Sequence, residues 1–177
     1  MDNLKNIFAR NCAARRIDKP TAAAFLAANH RLGDTTCRYR YGLFTRRTTG
    51  AGEAATDEGT LVAVATFSNA RRWHKAGSTV SSYEWIRYAS LEGVRVTGGM
   101  GKLLQTFIDD VHPDNIMSYA DAGWPDGGVV YEKLGFVEEA RVQRAGRTDI
   151  KYRLVLSGDA GEFGGATVED GHVDLAL

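Results

Sequence analysis

The order of local sequence patterns predicts an α/β (α+β) fold, a central mixed β-sheet flanked by helices on both faces. Short apolar runs and apolar alternation indicate strands, because successive strand side chains point to opposite faces. Two longer stretches instead carry helix-favouring or helically spaced apolar residues, and turns containing glycine or proline separate the segments. The predicted order is one helix, three strands, a helix, a strand, a helix and two strands.

The first half of the chain supplies one clear helix and three strands. Residues 1–19 are polar and basic and are predicted to form a loosely packed helix. Pro20 and Thr21 open an alanine-rich helix that ends at Asn29 and His30, since proline suits a first helical turn and alanine its interior. The predicted strands cover residues 37–46, 61–67 and 83–91, with a hairpin loop at 48–59 and a polar connection at 68–81.

The second half opens with a helix whose apolar residues recur at helical spacing from Met100 to Val111, before Pro113 ends it. A strand at 116–120 follows, then a turn and a short helix. Asp126 is the predicted N-cap of that helix, and Gly135 its left-handed C-terminal stop. The last predicted strands cover residues 136–142 and 150–156.

Length and composition predict one globular domain over residues 1–156, with a glycine-rich acidic tail at 157–177 that is expected to be disordered. No apolar run reaches the length of a membrane span, and no signal peptide is evident, so a cytoplasmic protein without a membrane partner is expected. The two cysteines are expected to be free thiols. No His/Cys cluster has metal-site spacing, so no metal ligand is predicted; the need for a metal and the oligomeric state, with a homodimer as one option, stay open.

Charge is unevenly distributed along the chain. The tail holds five acidic residues and no Lys or Arg, so residues 1–156 carry all 22 basic residues and 17 acidic ones, a net charge of +5. A basic body is compatible with a polyanionic partner, and double-stranded DNA is the partner expected here. Within the body, Arg71, Arg72, Trp73 and Lys75 combine phosphate-binding cations with a ring for stacking. A solvated loop with one exposed Trp is the alternative.

A glycine-rich turn precedes the helix that begins near Met100. Gly98, Gly99, Met100, Gly101 and Lys102 stand between a strand and a helix start, where backbone amides and the helix dipole favour an anion. Glycines let a phosphate approach the backbone closely. These residues are therefore predicted to bind a cofactor through its phosphates, with an ordinary tight turn as the alternative.

The run Val130-Tyr131-Glu132-Lys133-Leu134-Gly135-Phe136 resembles the Y-E-K-L-G-F signature of the GNAT N-acyltransferase superfamily. The glycine turn resembles the Gln/Arg-x-x-Gly-x-Gly pyrophosphate loop of the same superfamily, with Val96 at its first position. The resemblance implies a GNAT fold and an acyl-CoA or related donor. It also implies that Tyr131 donates a proton to the departing coenzyme A thiolate.

A narrower resemblance, spanning about residues 30–136, is to the phage Mom proteins, a divergent GNAT-like family. It rests on Asn29-His30, on Arg87 within residues 84–88, and on Ser118-Tyr119-Ala120-Asp121 before Tyr131. This resemblance implies transfer of a carbamoylmethyl group to adenine N6 in DNA, which protects phage DNA from restriction. It implies a catalytic set of His30, Arg87, Ser118, Asp121 and Tyr131.

Three functions stay open on the sequence: Mom-like DNA modification, acetyl-CoA-dependent N-acetylation of a small amine or protein, and non-catalytic nucleic-acid binding. The catalytic candidates also have structural interpretations. His30 can cap a helix, Arg87 can stack on a ring, Ser118 can simply pack, and Asp121 can form an ion pair. In a straight strand Ser118 and Asp121 face opposite sides, so both serve one site only if the chain bends near Ala120.

Overall fold

A computed structural model of the chain describes residues 4–50, 55–75, 77–124, 128–157 and 167–168. These residues form an α+β fold with a mixed β-sheet and few helices, which confirms the predicted fold class. The strands are β1 (Lys5–Phe8), β2 (Cys12–Arg16), β3 (Tyr39–Thr45), β4 (Leu61–Phe67), β5 (Arg71–Lys75), β6 (Ser78–Ser90), β7 (Val94–Thr97), β8 (Asn115–Asp121), β9 (Val137–Arg144), β10 (Arg147–Val155) and β11 (Thr167–Val168). The helices are α1 (Lys19–Asn29), α2 (Gly99–Val111) and α3 (Val129–Lys133), with a 3-10 turn at Ala9–Asn11.

The chain packs as two compact units. Unit 1 comprises Met1–Ser68 and Trp85–His112, and unit 2 comprises Asn69–Glu84 and Pro113–Leu177. Strand β6 contributes its residues up to Glu84 to unit 2 and its residues from Trp85 onward to unit 1.

Unit 1 is built on antiparallel strands in the order β2-β3-β4-β6, and β1 pairs in parallel with β7. Strand β4 is the apolar run 61–67, and every residue from Val62 to Phe67 is buried. Helix α1 packs Phe25 and Leu26 into a core cluster with Val64. Burial of such side chains stabilises the unit by about 1.5–3 kcal/mol each relative to exposure.

Helix α1 begins one residue earlier than the sequence suggests. Asp18 is its N-cap, and the carboxylate accepts the backbone N–H of Thr21 at 2.8 Å. Pro20 lies in the first turn, where a missing backbone N–H has no intrahelical role. The N-terminus of α1 is thus fixed by side-chain capping and a preset proline dihedral.

Unit 2 is ordered by strand pairing along β8. The N-terminal part of β6 pairs in parallel with β8, and β10 pairs antiparallel with both β8 and β9. Arg153 of β10, only 7% exposed, donates bidentately to Glu139 at 2.9 and 3.0 Å and to the Oδ1 of Asn115 at 2.5 Å. A buried guanidinium is stabilised by hydrogen bonds of this kind, so the network fixes the β8–β10–β9 arrangement.

Two of the sequence-based element predictions are wrong. Residues 1–19 were expected to be helical, but the described part forms β1, a 3-10 turn and β2, because Ile7, Ala9 and Cys12 are buried there. The polar connection at 68–81 contains β5 and the start of β6, which pair as an antiparallel hairpin. Cross-strand pairing outweighs the polar composition of that stretch.

The predictions for the ends of α3 and for the C-terminal tail have separate outcomes. Gly135 has a positive φ of 91°, which confirms the left-handed stop after α3. The proposed N-cap Asp126 lies outside the described residues. Most of the tail does too, but Thr167–Val168 form strand β11 where disorder was expected. No helix in the described part of the chain is long and apolar enough to cross a membrane.

Candidate functional site

The hydroxyl groups of Ser118 and Tyr131 meet in unit 2, between strand β8 and helix α3. Ser118 lies on β8 with only 1% of its surface exposed. Its Oγ donates a hydrogen bond to Tyr131 Oη at 2.8 Å. A tyrosine hydroxyl that accepts one hydrogen bond can still donate its own proton to another acceptor. The pair therefore holds a proton donor in a defined position.

The ring of Tyr131 is fixed by two aromatic neighbours. It stacks on Tyr152 with centroids 5.5 Å apart and an interplanar angle of 18°, and it meets Phe136 edge-on at 5.5 Å. Tyr152 is placed there because it pairs with Ser118 in the β8–β10 register. A Cβ on Gly128 would overlap the Tyr152 hydroxyl, so only glycine fits at that position beside α3.

Burial governs the ionisation of Tyr131. Desolvation raises the pKa of Tyr131 above its ordinary value, the hydrogen bond from Ser118 works in the opposite direction, and the charge of Glu84 raises the pKa further. A raised pKa keeps the phenol protonated through the neutral and mildly alkaline range. The Tyr131 phenol is therefore protonated at neutral pH, a state in which it can donate a proton.

Asp121 is not brought to the Ser118–Tyr131 pair by a bend in β8. The β8–β10 pairing runs without a register shift from Asn115 to Asp121, where Asp121 lies across from Asp149. Strand alternation therefore places Asp121 on the opposite face from Ser118. Its Oδ1 accepts the backbone N–H of Gly123 at 2.9 Å and so stabilises the turn after β8. A role for Asp121 as a catalytic base stays a prediction.

His30 and Arg87 lie in unit 1, around the loop that follows helix α1. His30 is the C-cap of α1, and its Nδ1 accepts the backbone N–H of Leu32 at 3.0 Å. Arg87 donates from Nε to the carbonyl of Gly33 at 3.3 Å and from Nη1 to the carbonyl of Ile86 at 3.0 Å. Both side chains thus bind backbone groups in or beside the loop; for His30 this agrees with the capping role that the sequence allowed, whereas for Arg87 the sequence had suggested ring stacking.

The pKa of His30 is lowered, first by burial and then by the nearby charges of Arg87 and Arg31. A lowered pKa in the folded state means that the unfolded chain binds more protons as the pH falls below about 6.5. His30 therefore contributes stability that is present above that pH and lost as the pH falls through the folded pKa.

We expect the free energy of unfolding to fall more steeply between pH 6.5 and pH 5 in the wild type than in His30→Asn. Denaturant unfolding at a series of pH values measures this difference. His112→Asn is the matched control, since His112 has a φ of 52°, a left-handed conformation that Asn tolerates. Equal slopes for wild type and His30→Asn would contradict the expectation.

The glycine turn forms the start of helix α2 in unit 1. Gly98 is the N-cap with a φ of 77°, and no side chain caps the helix. The amides of Gly99, Met100 and Gly101 open the first turn, where backbone N–H groups have no intrahelical partner. A phosphate fits this uncapped N-terminus, because the amides and the helix dipole both favour an anion.

Gly99 and Lys102 serve the packing of this turn. A Cβ on Gly99 would lie 2.7 Å from Tyr88 Oη and 2.9 Å from Val96 Cγ1, so glycine is required there. The ammonium of Lys102 donates to the carbonyl oxygens of Ala9 at 3.0 Å and Cys12 at 2.6 Å. A contact of Lys102 with a cofactor phosphate stays a prediction.

The predicted nucleic-acid-binding residues lie on strand β5 of unit 2 rather than in a loop. Arg72 is exposed, and Arg71 pairs loosely with Glu84 at 3.6 Å. Trp73 is half-buried. Among the described residues, no group of three His, Cys, Asp or Glu side chains could hold a metal ion.

Comparison with known proteins identifies the fold through solved structures, whereas the sequence comparisons give no match. No family model matches the chain, and no curated protein matches it. Arabidopsis thaliana NAA60 in complex with acetyl-CoA superposes with a TM-score of 0.61 at 11% identity, over 82% of this chain and 99% of that one. A putative acetyltransferase of the GNAT family from Desulfovibrio desulfuricans gives 0.54 at 17% identity, over 81% and 98% of the two chains. The chain has the GNAT fold.

A third GNAT-fold match is the Bacillus subtilis acetyltransferase in complex with CoA, with a TM-score of 0.54 at 14% identity over 82% of this chain and 99% of that one. The GNAT fold predicted from the sequence is thus confirmed, while the narrower resemblance to Mom proteins stays a prediction. Sequence reasoning missed two neighbours of the candidate residues: Tyr152, which stacks on Tyr131 in unit 2, and Tyr88, whose hydroxyl lies close to Gly99 in unit 1. The β8–β10 register, which pairs Tyr152 with Ser118, accounts for the first of them.

Proposed function

We propose that this chain is an acyl-CoA-dependent N-acyltransferase. The observation that carries the proposal is the hydrogen bond from Ser118 to Tyr131 in a chain with the GNAT fold. The solved relatives with this fold include one in complex with acetyl-CoA and one in complex with CoA. The uncapped N-terminus of α2 suits the pyrophosphate of such a donor, since it offers amides beside a glycine N-cap.

Acyl-CoA would supply an acyl group on a thioester. As an acceptor amine forms its bond to the carbonyl carbon, the carbon–sulfur bond breaks and sulfur takes the electron pair. Tyr131 Oη donates the proton that this sulfur needs, and the Ser118 hydroxyl then stabilises the phenolate through its hydrogen bond. The amine loses its own proton to solvent, and the phenolate regains one from water.

The donor site is tested at Gly98. An alanine there is forced into a left-handed conformation at about 1–2 kcal/mol, so we expect the first turn of α2 to shift and the CoA affinity to fall about 10-fold. Gly59→Ala is the matched control in unit 1. Gly59 also has a positive φ, 78°, and a Cβ added there would meet no atom within 4 Å, so the substitution introduces the same backbone strain away from α2.

Calorimetric titration of CoA into the wild type, Gly98→Ala and Gly59→Ala checks this prediction. Equal affinities for all three would remove the turn from the donor site. Gly99 is a poorer probe, because a Cβ there collides with Val96 and a loss of binding would not be separable from misfolding.

A second candidate is Mom-like modification of adenine N6 in DNA, with a carbamoylmethyl group. The observation in its favour is strand β5, where the exposed Arg72 and the neighbouring Arg71 offer cations beside Trp73. A carbamoylmethyl group is attached through CH₂, so simple acyl transfer does not produce it and this function would need a different donor. Under this reading Asp121, Arg87 and His30 would join Tyr131 in catalysis.

Acceptor identity separates these functions in one experiment. Purified protein is incubated with acetyl-CoA and either a polyamine, a peptide with a free N-terminus or duplex DNA, and products are identified by mass spectrometry. Nucleosides from DNA of cells that express the chain are analysed in parallel. Acetylated amine supports the first function, and modified adenine supports the second. DNA binding without any product would indicate a nucleic-acid-binding domain that has the GNAT fold but no catalytic activity.

A further inference from the structure

Helix α3, which carries Tyr131, is short and mostly exposed. It has only five residues, none of them buried, and Val129 and Val130 are 43% and 37% exposed. A helix this short is not stable by itself and needs packing contacts from elsewhere in the fold. The position of α3, and with it the position of Tyr131, therefore depends on the residues that the helix packs against.

Tyr152 of strand β10 contacts this helix at two points. Its ring stacks on the ring of Tyr131, and its hydroxyl oxygen occupies the place that a Cβ on Gly128 would take, with Cζ 3.1 Å from that place. Gly128 is the N-cap of α3, and its carbonyl accepts the backbone N–H of Glu132 at 3.2 Å. One side chain thus lies against both the start of the helix and its tyrosine.

The same side chain is fixed relative to Ser118. Tyr152 is only 2% exposed and lies directly across from Ser118 in the β8–β10 register, so both side chains stand on one face of the sheet. Phe136, the other ring against Tyr131, follows α3 in the same stretch of chain and belongs to neither β8 nor β10. Of the two rings, Tyr152 is therefore the one that ties Tyr131 to the strand pair carrying Ser118.

We propose that Tyr152 is the positioning residue of the Ser118–Tyr131 pair. By packing against Gly128 and Tyr131 together, it sets where α3 begins and holds the Tyr131 hydroxyl at 2.8 Å from Ser118 Oγ. Gly128 has a φ of −87° and a ψ of −33°, which any residue adopts, so lack of space and not backbone conformation requires glycine there. The consequence for catalysis rests on the proposed acyltransferase function, whereas the placement of Tyr131 does not.

Gly128→Ala tests the placement without any ligand. Because Tyr152 is buried and close-packed, we expect the added methyl group to displace Tyr152 or α3 and so to change the stacking on Tyr131. In the full-length chain with ¹³C-labelled tyrosine rings, the NMR signals of Tyr131, assigned by their loss in Tyr131→Phe, should move. The signals of Tyr119, which lies on the opposite face of β8, should stay in place.

Tyr152→Phe supplies the matched background. Once the hydroxyl oxygen is removed, the atom nearest to the new methyl group is Cζ at 3.1 Å, a contact that a shift of a few tenths of an ångström relieves. We therefore expect Gly128→Ala to lower the melting temperature by roughly 3–9 °C in the wild type and by clearly less in Tyr152→Phe. Unmoved Tyr131 signals, or equal effects of Gly128→Ala in the two backgrounds, would overturn the proposal.

The catalytic consequence is measured as release of free CoA thiol from acetyl-CoA, with the polyamine, the peptide and the duplex DNA as acceptors. Misplacement of a reacting group by about 1 Å costs up to about 10²-fold in rate, so Gly128→Ala should lower kcat by roughly 10- to 100-fold. The KM for acetyl-CoA should stay unchanged, because the substitution leaves donor binding as it is. Most of the lost rate should return when Gly128→Ala is combined with Tyr152→Phe.

The outcomes separate this inference from the proposed function. A loss of kcat in Gly128→Ala that Tyr152→Phe does not restore would show that the effect does not pass through Tyr152. Absence of thiol release from the wild type with every acceptor would instead refute acyl transfer. In that case the Tyr131 signals and the melting temperatures would still decide whether Tyr152 places Tyr131.

Discussion

Replacing Tyr131 with Phe should lower the rate of acyl transfer by on the order of 10²–10⁴-fold, the usual contribution of a positioned acid–base group. The substitution removes one oxygen from a ring that is held between Tyr152 and Phe136. Because the ring contacts remain, the loss of rate would be chemical rather than structural. The steady-state release of free CoA thiol measures the rate of acyl transfer, and the melting temperature measures whether the variant keeps its stability.

Tyr119→Phe is the matched control. Tyr119 is the next residue on β8, half-buried, with Arg144 over its ring at 5.4 Å. The same atom is removed from the same strand, but strand alternation turns Tyr119 away from the face of Ser118. We expect this variant to keep its activity and to melt near the wild-type temperature.

The pH profile distinguishes a proton donor from a packing residue. Because burial raises the pKa of Tyr131, activity that needs the protonated phenol should persist into alkaline solution and fall only above that raised pKa. Ser118→Ala removes a hydrogen bond that lowers the pKa, so it should move the alkaline fall to still higher pH. Full activity of Tyr131→Phe together with loss of activity in Asp121→Asn would refute the assignment of Tyr131.

Regular, strongly patterned segments could be predicted from the sequence. The apolar run 61–67 coincides with β4, and the helical spacing before Pro113 marks α2. Residues 1–19 could not be predicted, because two short strands separated by a 3-10 turn carry no sustained periodicity. Their structure depends on partners far along the chain, β7 for β1 and β3 for β2. Strand β5 escaped prediction because its residues are mostly polar and charged, although its partner β6 follows directly in a hairpin.

The candidate site likewise contains residues that local motifs predict and residues that only the sheet pairing places. Ser118 and Tyr131 could be selected from local motifs, and the structure joins them by a hydrogen bond. Tyr152 could not, because its place under Tyr131 follows from the pairing of β10 with β8. Alternation along a strand, in contrast, correctly indicated that Ser118 and Asp121 face opposite sides of β8. Local rules therefore identify reactive groups, and sheet register decides which of them meet.

Phe107→Ala should lower the free energy of unfolding of unit 1 by about 3–5 kcal/mol, the usual cost of truncating a buried aromatic residue. Phe107 is fully buried on helix α2 and lies flat against Phe67, with centroids 3.9 Å apart and an interplanar angle of 2°. Tyr39 and Tyr41 meet its ring edge-on at 5.6 and 6.1 Å. Truncation would remove these contacts and leave a cavity.

Phe8→Ala is the matched control, because the same side chain at position 8 is 40% exposed and should cost much less on truncation. Denaturant unfolding followed by tryptophan fluorescence measures both variants, and Trp85, which is buried in unit 1 and stacks on Phe67 at 5.4 Å, contributes to that signal. If Phe107→Ala lowers the free energy of unfolding by as little as Phe8→Ala does, the aromatic contacts of Phe107 do not hold α2 against the sheet. Because α2 also carries the glycine turn, saturating CoA should restore part of the lost stability by binding only the folded state.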